Sequence, residues 1–168
     1  GNVISPEDLL KKYGQEATRF ILAKNIHPFE DTDINWEKLD EWYRSQLSNG
    51  VGNLTSRIMT LAEKNIDRIK IPVFDWQTKF PKLMKDKKIG SEFRIDQILD
   101  QGVVVPIEYL DKEIDGFIRN KIEKQSKEGQ EKIRNFVLGL YEIACWLEPY
   151  MPETSRKIRE AIHLNKKP

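Results

Sequence analysis

"WEKLDEWYRSQLSNGVGNLTSRIMTL", residues 36–61, decides the fold. Its apolar positions, Trp36, Leu39, Tyr43, Leu47, Val51, Leu54, Ile58 and Leu61, recur at steps of three and four, the period of an amphipathic helix and not of a strand. The pattern predicts one helix of about 29 residues, roughly 43 Å long. Burying such a stripe is worth about 1.5–3 kcal/mol per large side chain, and only if other elements cover it, so partner helices are required. Two glycines, Gly50 and Gly52, fall inside this helix, where each costs about 1 kcal/mol relative to alanine. They predict a close approach, either of another helix or of a ligand. Directly after them Asn53 and Arg57 stand one turn apart on one face, at the flank of the stripe, with their polar ends free to reach solvent.

Working outward, "SPEDLLKKYG" (5–14) reads as a capped helix, with Ser5 as cap, Pro6 in the first turn, Glu7 and Asp8 at the positive end of the dipole and Gly14 as the stop. A second short helix follows to about Lys24, then the loop "NIHPFEDTDIN" (25–35). Residues 66–92 are irregular, interrupted by Pro72 and Pro81, and predict one short helix and a loop. Helical spacing returns at 93–101. "GVVVP" (102–106) then predicts a kink or break, with Val103–Val105 as the one candidate strand. Ile107, Leu110, Ile114, Phe117, Ile118 and Ile122 mark a further helix, residues from about Gln130 to Leu147 another, and Pro152 starts a last one to about His163. The fold class is all-α, an irregular antiparallel helix bundle.

The 168 residues suit one domain with a real core. With 28 basic and 27 acidic residues no overall field drives the chain onto nucleic acid or membrane, so such binding has to come from a local patch. No apolar run is long enough to span a bilayer, and the chain reads as a soluble, cytoplasmic protein. The single cysteine, Cys145, lies on an apolar stripe as a buried thiol. His27 and His163 are isolated, without zinc spacing or a partnered nucleophile, and no phosphate-binding glycine loop or paired carboxylate site is present, so no catalytic residue, cofactor or metal site is expected in this chain. Gly1 is not an initiator methionine and a capped helix begins almost at once, which suggests a piece cut from something larger. The four tryptophans read as core or junction residues, Trp76 least clearly. Lysines 79, 82, 85, 87 and 88 are either phosphate contacts or a solvated loop.

"GNVISPEDLLKKYG", "ATRFILAKNIHPFEDTDINWEKLDEWYRSQLSNGVGNLTSRIMTLA" and "CWLEPYMPETSRKI" together resemble the C-terminal half of bacterial-type methionyl-tRNA synthetases, over nearly the whole chain. "NGVGNLTSR" favours methionine over the related leucine, valine, isoleucine and cysteine enzymes. In that family "GN" follows the KMSKS loop of the catalytic domain. The resemblance therefore implies linker helices in residues 1–30 and an anticodon-binding helical bundle in 31–168, with the catalytic domain in cis. It implies a non-catalytic segment of a methionine–tRNA ligase, with ATP and Mg2+ serving the parent enzyme and tRNA carrying a CAU anticodon as partner.

By the same resemblance Asn53 and Arg57 read the first anticodon base. The chemistry suits it: cytosine presents two acceptors beside an amino donor, Arg57 supplies donors, and the Asn53 amide both gives and accepts. Uracil has a donor at the central position, facing which a guanidinium loses a partner. Where the family places Pro-Trp to stack on the anticodon, this chain has "EYLDKEIDGFIRN" (108–120), and Phe117 is the nearest aromatic. Arg119, Lys121 and Lys124 follow as candidate contacts to the anticodon loop, or as an ordinary helix surface. Two alternatives stand beside this reading: the corresponding domain of a sister synthetase or a free-standing RNA-binding paralogue, and a helical bundle that contacts protein alone.

Overall fold

Serine, asparagine and a glutamate from elsewhere in the chain start the helices, and their apolar stripes close over one core. The structure is a computed structural model that describes residues 3–27, 29–67, 69–71, 73 and 95–164. The short helix expected within 66–92, Trp76 and the five lysines of 79–88 lie outside the described residues or largely so. Among the described residues there are six helical rods and no strand.

Helix α1 (Pro6–Tyr13) starts where Ser5 Oγ accepts from the Asp8 amide. It stops at Gly14, whose φ of 79° is the left-handed region that glycine enters without steric cost. Helix α2 (Gln15–Asn25) folds back against it. The third rod comprises α3 (Trp36–Trp42), a wide π-type segment π1 (Tyr43–Gly52) and α4 (Asn53–Asn65). Asn35 caps it by accepting from the Lys38 amide at 2.9 Å. The fourth comprises α5 (Ile95–Leu99), a second wide segment π2 (Asp100–Val104) and α6 (Val105–Arg119). Helix α7 (Lys127–Leu147) is central, packing on α4, α6, π2 and α8 (Pro152–Leu164).

The long helix at 36–65 is present as the period predicts, but its glycines act differently from the expectation. A Cβ at Gly50 would lie 3.1 Å from the Ser45 carbonyl oxygen, and one at Gly52 would lie 3.3 Å from that of Leu47. In each case the crowding atom belongs to the same helix, five residues upstream, as wide turns bring it. The neighbouring α6 reaches Gly50 only at ordinary contact, 3.8 Å from Ile107. The glycines thus accommodate the widened helix and not a close helix crossing. The wide turns also rotate Tyr43 out of the core stripe, where it is exposed and packs on Tyr13 at a ring separation of 5.3 Å.

At 102–106 the chain neither breaks nor forms a strand. It widens instead, and the Val105 amide donates to Asp100, five residues back. Proline in a regular helix clashes with the carbonyl four residues earlier. A wide turn just before Pro106 relieves that crowding and lets the rod continue.

The core joins Leu9, Phe20 and Ile21 from the first two helices to Leu39, Leu54, Ile58, Leu99, Ile114, Leu140 and Leu147 from the others. Helices α6 and α7, and α7 and α8, are antiparallel neighbours joined by short turns. The pair α4 and α6 departs from that rule. Contacts along the two rods run from Gly50 of π1 to Ile107, through Arg57 to Asp111, to Asn65 against Gln125 in the turn after α6, so α4 and α6 lie side by side in the same direction. Cys145 is buried, and burial pushes its thiol up from the ordinary value, so it stays protonated at neutral pH.

Candidate nucleic-acid interface

The parallel packing of α4 on α6 creates an edge on which Asn53 and Arg57 sit. Asn53 is exposed in the first turn of α4, and Arg57 follows one turn later with its side chain 26% exposed. Leu54 and Ile58, the residues just after each, are fully buried against the core. That fixes the Asn53 and Arg57 stems while their polar ends stay at the surface.

Arg57 is not a free cation. Its Nη1 donates to Asp111 Oδ1 at 2.7 Å and its Nη2 donates to Asp115 Oδ1. The two carboxylates are one turn apart on α6, so a single guanidinium spans both. Asp111 is the more enclosed, with its side chain 29% exposed against 54% for Asp115. The spacing Asp111 to Asp115 is legible in "YLDKEIDG", but that both meet Arg57 follows only from the register of the two helices.

Arg119 closes α6 one turn beyond Asp115 and is exposed. Lys121 lies in the turn after it, exposed, with a φ of 50°. That left-handed conformation costs a non-glycine residue free energy, and its amide is engaged with the Ile118 carbonyl. Lys121→Gly is therefore expected to raise stability by up to about 1 kcal/mol, read as a higher urea midpoint with an unchanged slope. Lys124 is exposed in the same turn region.

Phe117 does not stand where the stacking role expected of it would need it. Its ring is 3% exposed and meets Phe136 edge to face at 5.8 Å, so it belongs to the core and presents no surface on which a base could stack. It shares the inward stripe of Ile107, Leu110 and Ile114, and helical geometry carries it inside. Gly116 beside it has open space where a Cβ would stand. The exposed apolar residue on the Asp111–Asp115 ridge is Ile118, which the period alone would place inward. Trp36, Trp42 and Trp146 are half-buried against the core.

A cleft of about 380 Å³ lined by Leu47, Val51, Thr55, Met151 and Ile158 includes neither Asn53 nor Arg57. Among the described residues no group of three His, Cys, Asp or Glu is placed to hold a metal ion, and no helix is long and apolar enough to cross a membrane. In the Lys12–Tyr13–Asp40 cluster, hydrogen bonds from Lys12 and then Tyr13 hold the Asp40 carboxyl below its usual range. This is a surface tie between α1 and α3.

Comparison with known proteins bears on this edge. A family model described as tRNA synthetases class I (M) matches residues 1–59, a span that ends just past Arg57. The chain is 27% identical to a methionine–tRNA ligase of Streptomyces coelicolor over 95% of its own length and 32% of the ligase. For the ligase of Fusobacterium nucleatum the values are 29% identity, 99% and 28%, and for that of Thermotoga maritima 27%, 100% and 28%. The chain thus spans about a third or less of the relatives it matches. No solved structure matches it. On these matches the chain is similar to methionine–tRNA ligases over nearly its whole length.

Proposed function

We propose that this chain is the anticodon-binding part of a methionine–tRNA ligase, and that it reads the first base of a CAU anticodon with Asn53 and Arg57. The observation that carries the reading is the fixed pair itself. One exposed amide and one oriented guanidinium stand a turn apart on a rigid helix edge, supplying donors and an acceptor to match the two acceptors and the amino group of cytosine. The similarity to methionine–tRNA ligases over nearly the whole chain supports the partner.

In this proposal residues 1–30 link the bundle to a catalytic domain in cis, in the cytoplasm. ATP and Mg2+ serve activation of methionine in that domain. Arg119, Lys121 and Lys124 are the candidate phosphate contacts, because they continue the same edge beyond Asp115. Phe117, buried in the core, takes no part. A base placed against this edge would meet the apolar surface of Ile118 instead.

The test is a titration at low salt with anticodon stem-loops carrying CAU or UAU, for the parent chain and Arg57→Ala. CAU is expected to bind more tightly, and Arg57→Ala to erase the preference, a change of about tenfold at most for a net hydrogen bond of about 0.5–1.5 kcal/mol. Equal binding of the two loops, unaltered by Arg57→Ala, would favour phosphate-only binding; no binding of either loop would favour the protein-contacting bundle.

A further inference from the structure

Arg57 faces two carboxylates of unequal standing, and the difference assigns them different parts. Asp111 holds Nη1 from a more enclosed position, whereas Asp115, about half exposed, occupies Nη2. Resting on the anticodon reading above, we infer that Asp115 is a competing acceptor, a carboxylate that occupies the Nη2 edge of Arg57 until an anticodon base displaces it. Asp111 keeps its bond throughout and holds the guanidinium in place.

The exchange follows from donor and acceptor counting. A guanidinium has five N–H donors and no acceptor, so any group that takes over from Asp115 must itself present an acceptor there. Cytosine offers two adjacent acceptors on its pairing edge, one to take over Nη2 from the single Asp115 oxygen bonded there and one to face the neighbouring donors of the guanidinium. Uracil can accept one bond at Nη2 through a carbonyl, but it places an N–H donor beside that carbonyl where cytosine has a second acceptor, so its replacement of Asp115 is the poorer one. Gly116, bare where a side chain would stand, leaves the helix surface next to Asp115 open to an incoming ring. The cost of displacing Asp115 is set against every ligand, so the carboxylate lowers affinity for all loops, and cytosine recovers what is lost. An exposed ion pair is weak enough to be exchanged in this way.

The experiment is a double-mutant cycle on the CAU stem-loop titration at low salt, using Asp115→Ala, Arg57→Ala and the double variant, with Glu113→Ala as the charge control. Glu113 is exposed on the same helix and removes an equal charge. Asp115→Ala is expected to tighten CAU binding by about two- to fivefold, the range of one exposed ion pair. Glu113→Ala should give a smaller gain, and the Asp115→Ala gain should vanish once Arg57 is alanine. A gain equal to that of Glu113→Ala, or one that persists without Arg57, would reduce Asp115 to general repulsion of phosphate and overturn the inference, as would no gain at all. The anticodon reading fails separately, if Arg57→Ala leaves the CAU preference intact. If that preference is lost while Asp115→Ala is silent, only the competing acceptor is refuted.

Discussion

Gly102→Ala is expected to destabilise the chain by about 3 kcal/mol, the upper part of the range for forcing one extra carbon into a packed core. Gly102 is buried in π2, and a Cβ there would stand 2.3–2.8 Å from Cδ2, Cε3 and Cγ of Trp146. These atoms lie at the root and middle of the indole, so no small rotation of the ring tip clears them. Either the tryptophan leaves its site on α7 or the two rods separate. The same rod supplies a control of opposite sign. Gly116→Ala in α6 meets nothing within 4 Å and removes a helix-interior glycine, so it is expected to stabilise by up to about 1 kcal/mol.

Thermal and urea unfolding of both variants, with Trp146→Leu and the pair Gly102→Ala/Trp146→Leu, form a cycle. The double variant should lose at least about 1 kcal/mol less than the sum of the single losses, because the clash exists only when both side chains are present. Strict additivity would mean that Gly102 serves the wide turn itself and not the Trp146 contact. The consequence reaches the candidate site. Gly102 sets how closely the fourth rod lies on α7, and that rod carries Asp111 and Asp115 to Arg57.

These positions mark what a sequence makes legible. The helix at 36–65 follows from its stripe, because burial acts through spacing and spacing is visible. Whether Gly50 answers to a neighbour or to its own carbonyl at Ser45 depends on a hydrogen-bond register that packing selects, and composition does not carry it. Likewise, Asn53 and Arg57 share a face by arithmetic, but the carboxylates bonded to Arg57 lie 54 and 58 residues away. Only the parallel seating of α4 on α6 brings them there. Phe117 teaches the reverse lesson. Its place in the stripe Ile107, Leu110, Ile114 already points inward, and that periodicity outweighs a stacking role drawn from resemblance with the aromatic one residue out of register. Local period decides which side of a helix a ring occupies; likeness of motif does not.

Glu16→Ala is expected to cost about 2 kcal/mol although the residue lies near the surface. Helix α8 begins at Pro152, directly after Met151, whose side chain has no oxygen to accept from the first amides, and these need acceptors. Glu16, at the start of α2 and more than 130 residues away in sequence, supplies them. Its carboxylate accepts from the Glu153 and Thr154 amides and from the Thr154 hydroxyl. Hydrogen bonds to a charged acceptor contribute about 1.5–3 kcal/mol, and a negative charge at a helix N-terminus adds to the favourable field. Water can replace part of this at a half-exposed site, which holds the expected cost below the sum of three bonds. Arg19 of the same helix donates to the Tyr150 carbonyl at 3.1 Å, so two side chains of α2 clasp the turn before α8.

This arrangement explains why "EPYMPET" near the end and "QEATRF" near the beginning belong to one structural unit. Glu16→Gln retains an acceptor oxygen but not the charge, and should fall between the parent and alanine. The checks are denaturant unfolding of both variants and hydrogen exchange of the Glu153 and Thr154 amides, which should quicken for Glu16→Ala while amides of α6 keep their protection. If exchange in α6 accelerates equally, the loss is global and the cap is not its local cause. If neither stability nor exchange changes, water satisfies the start of α8 unaided, and the tie between the first helices and the last must rest on the buried contacts of Phe20 and Ile21 with the core.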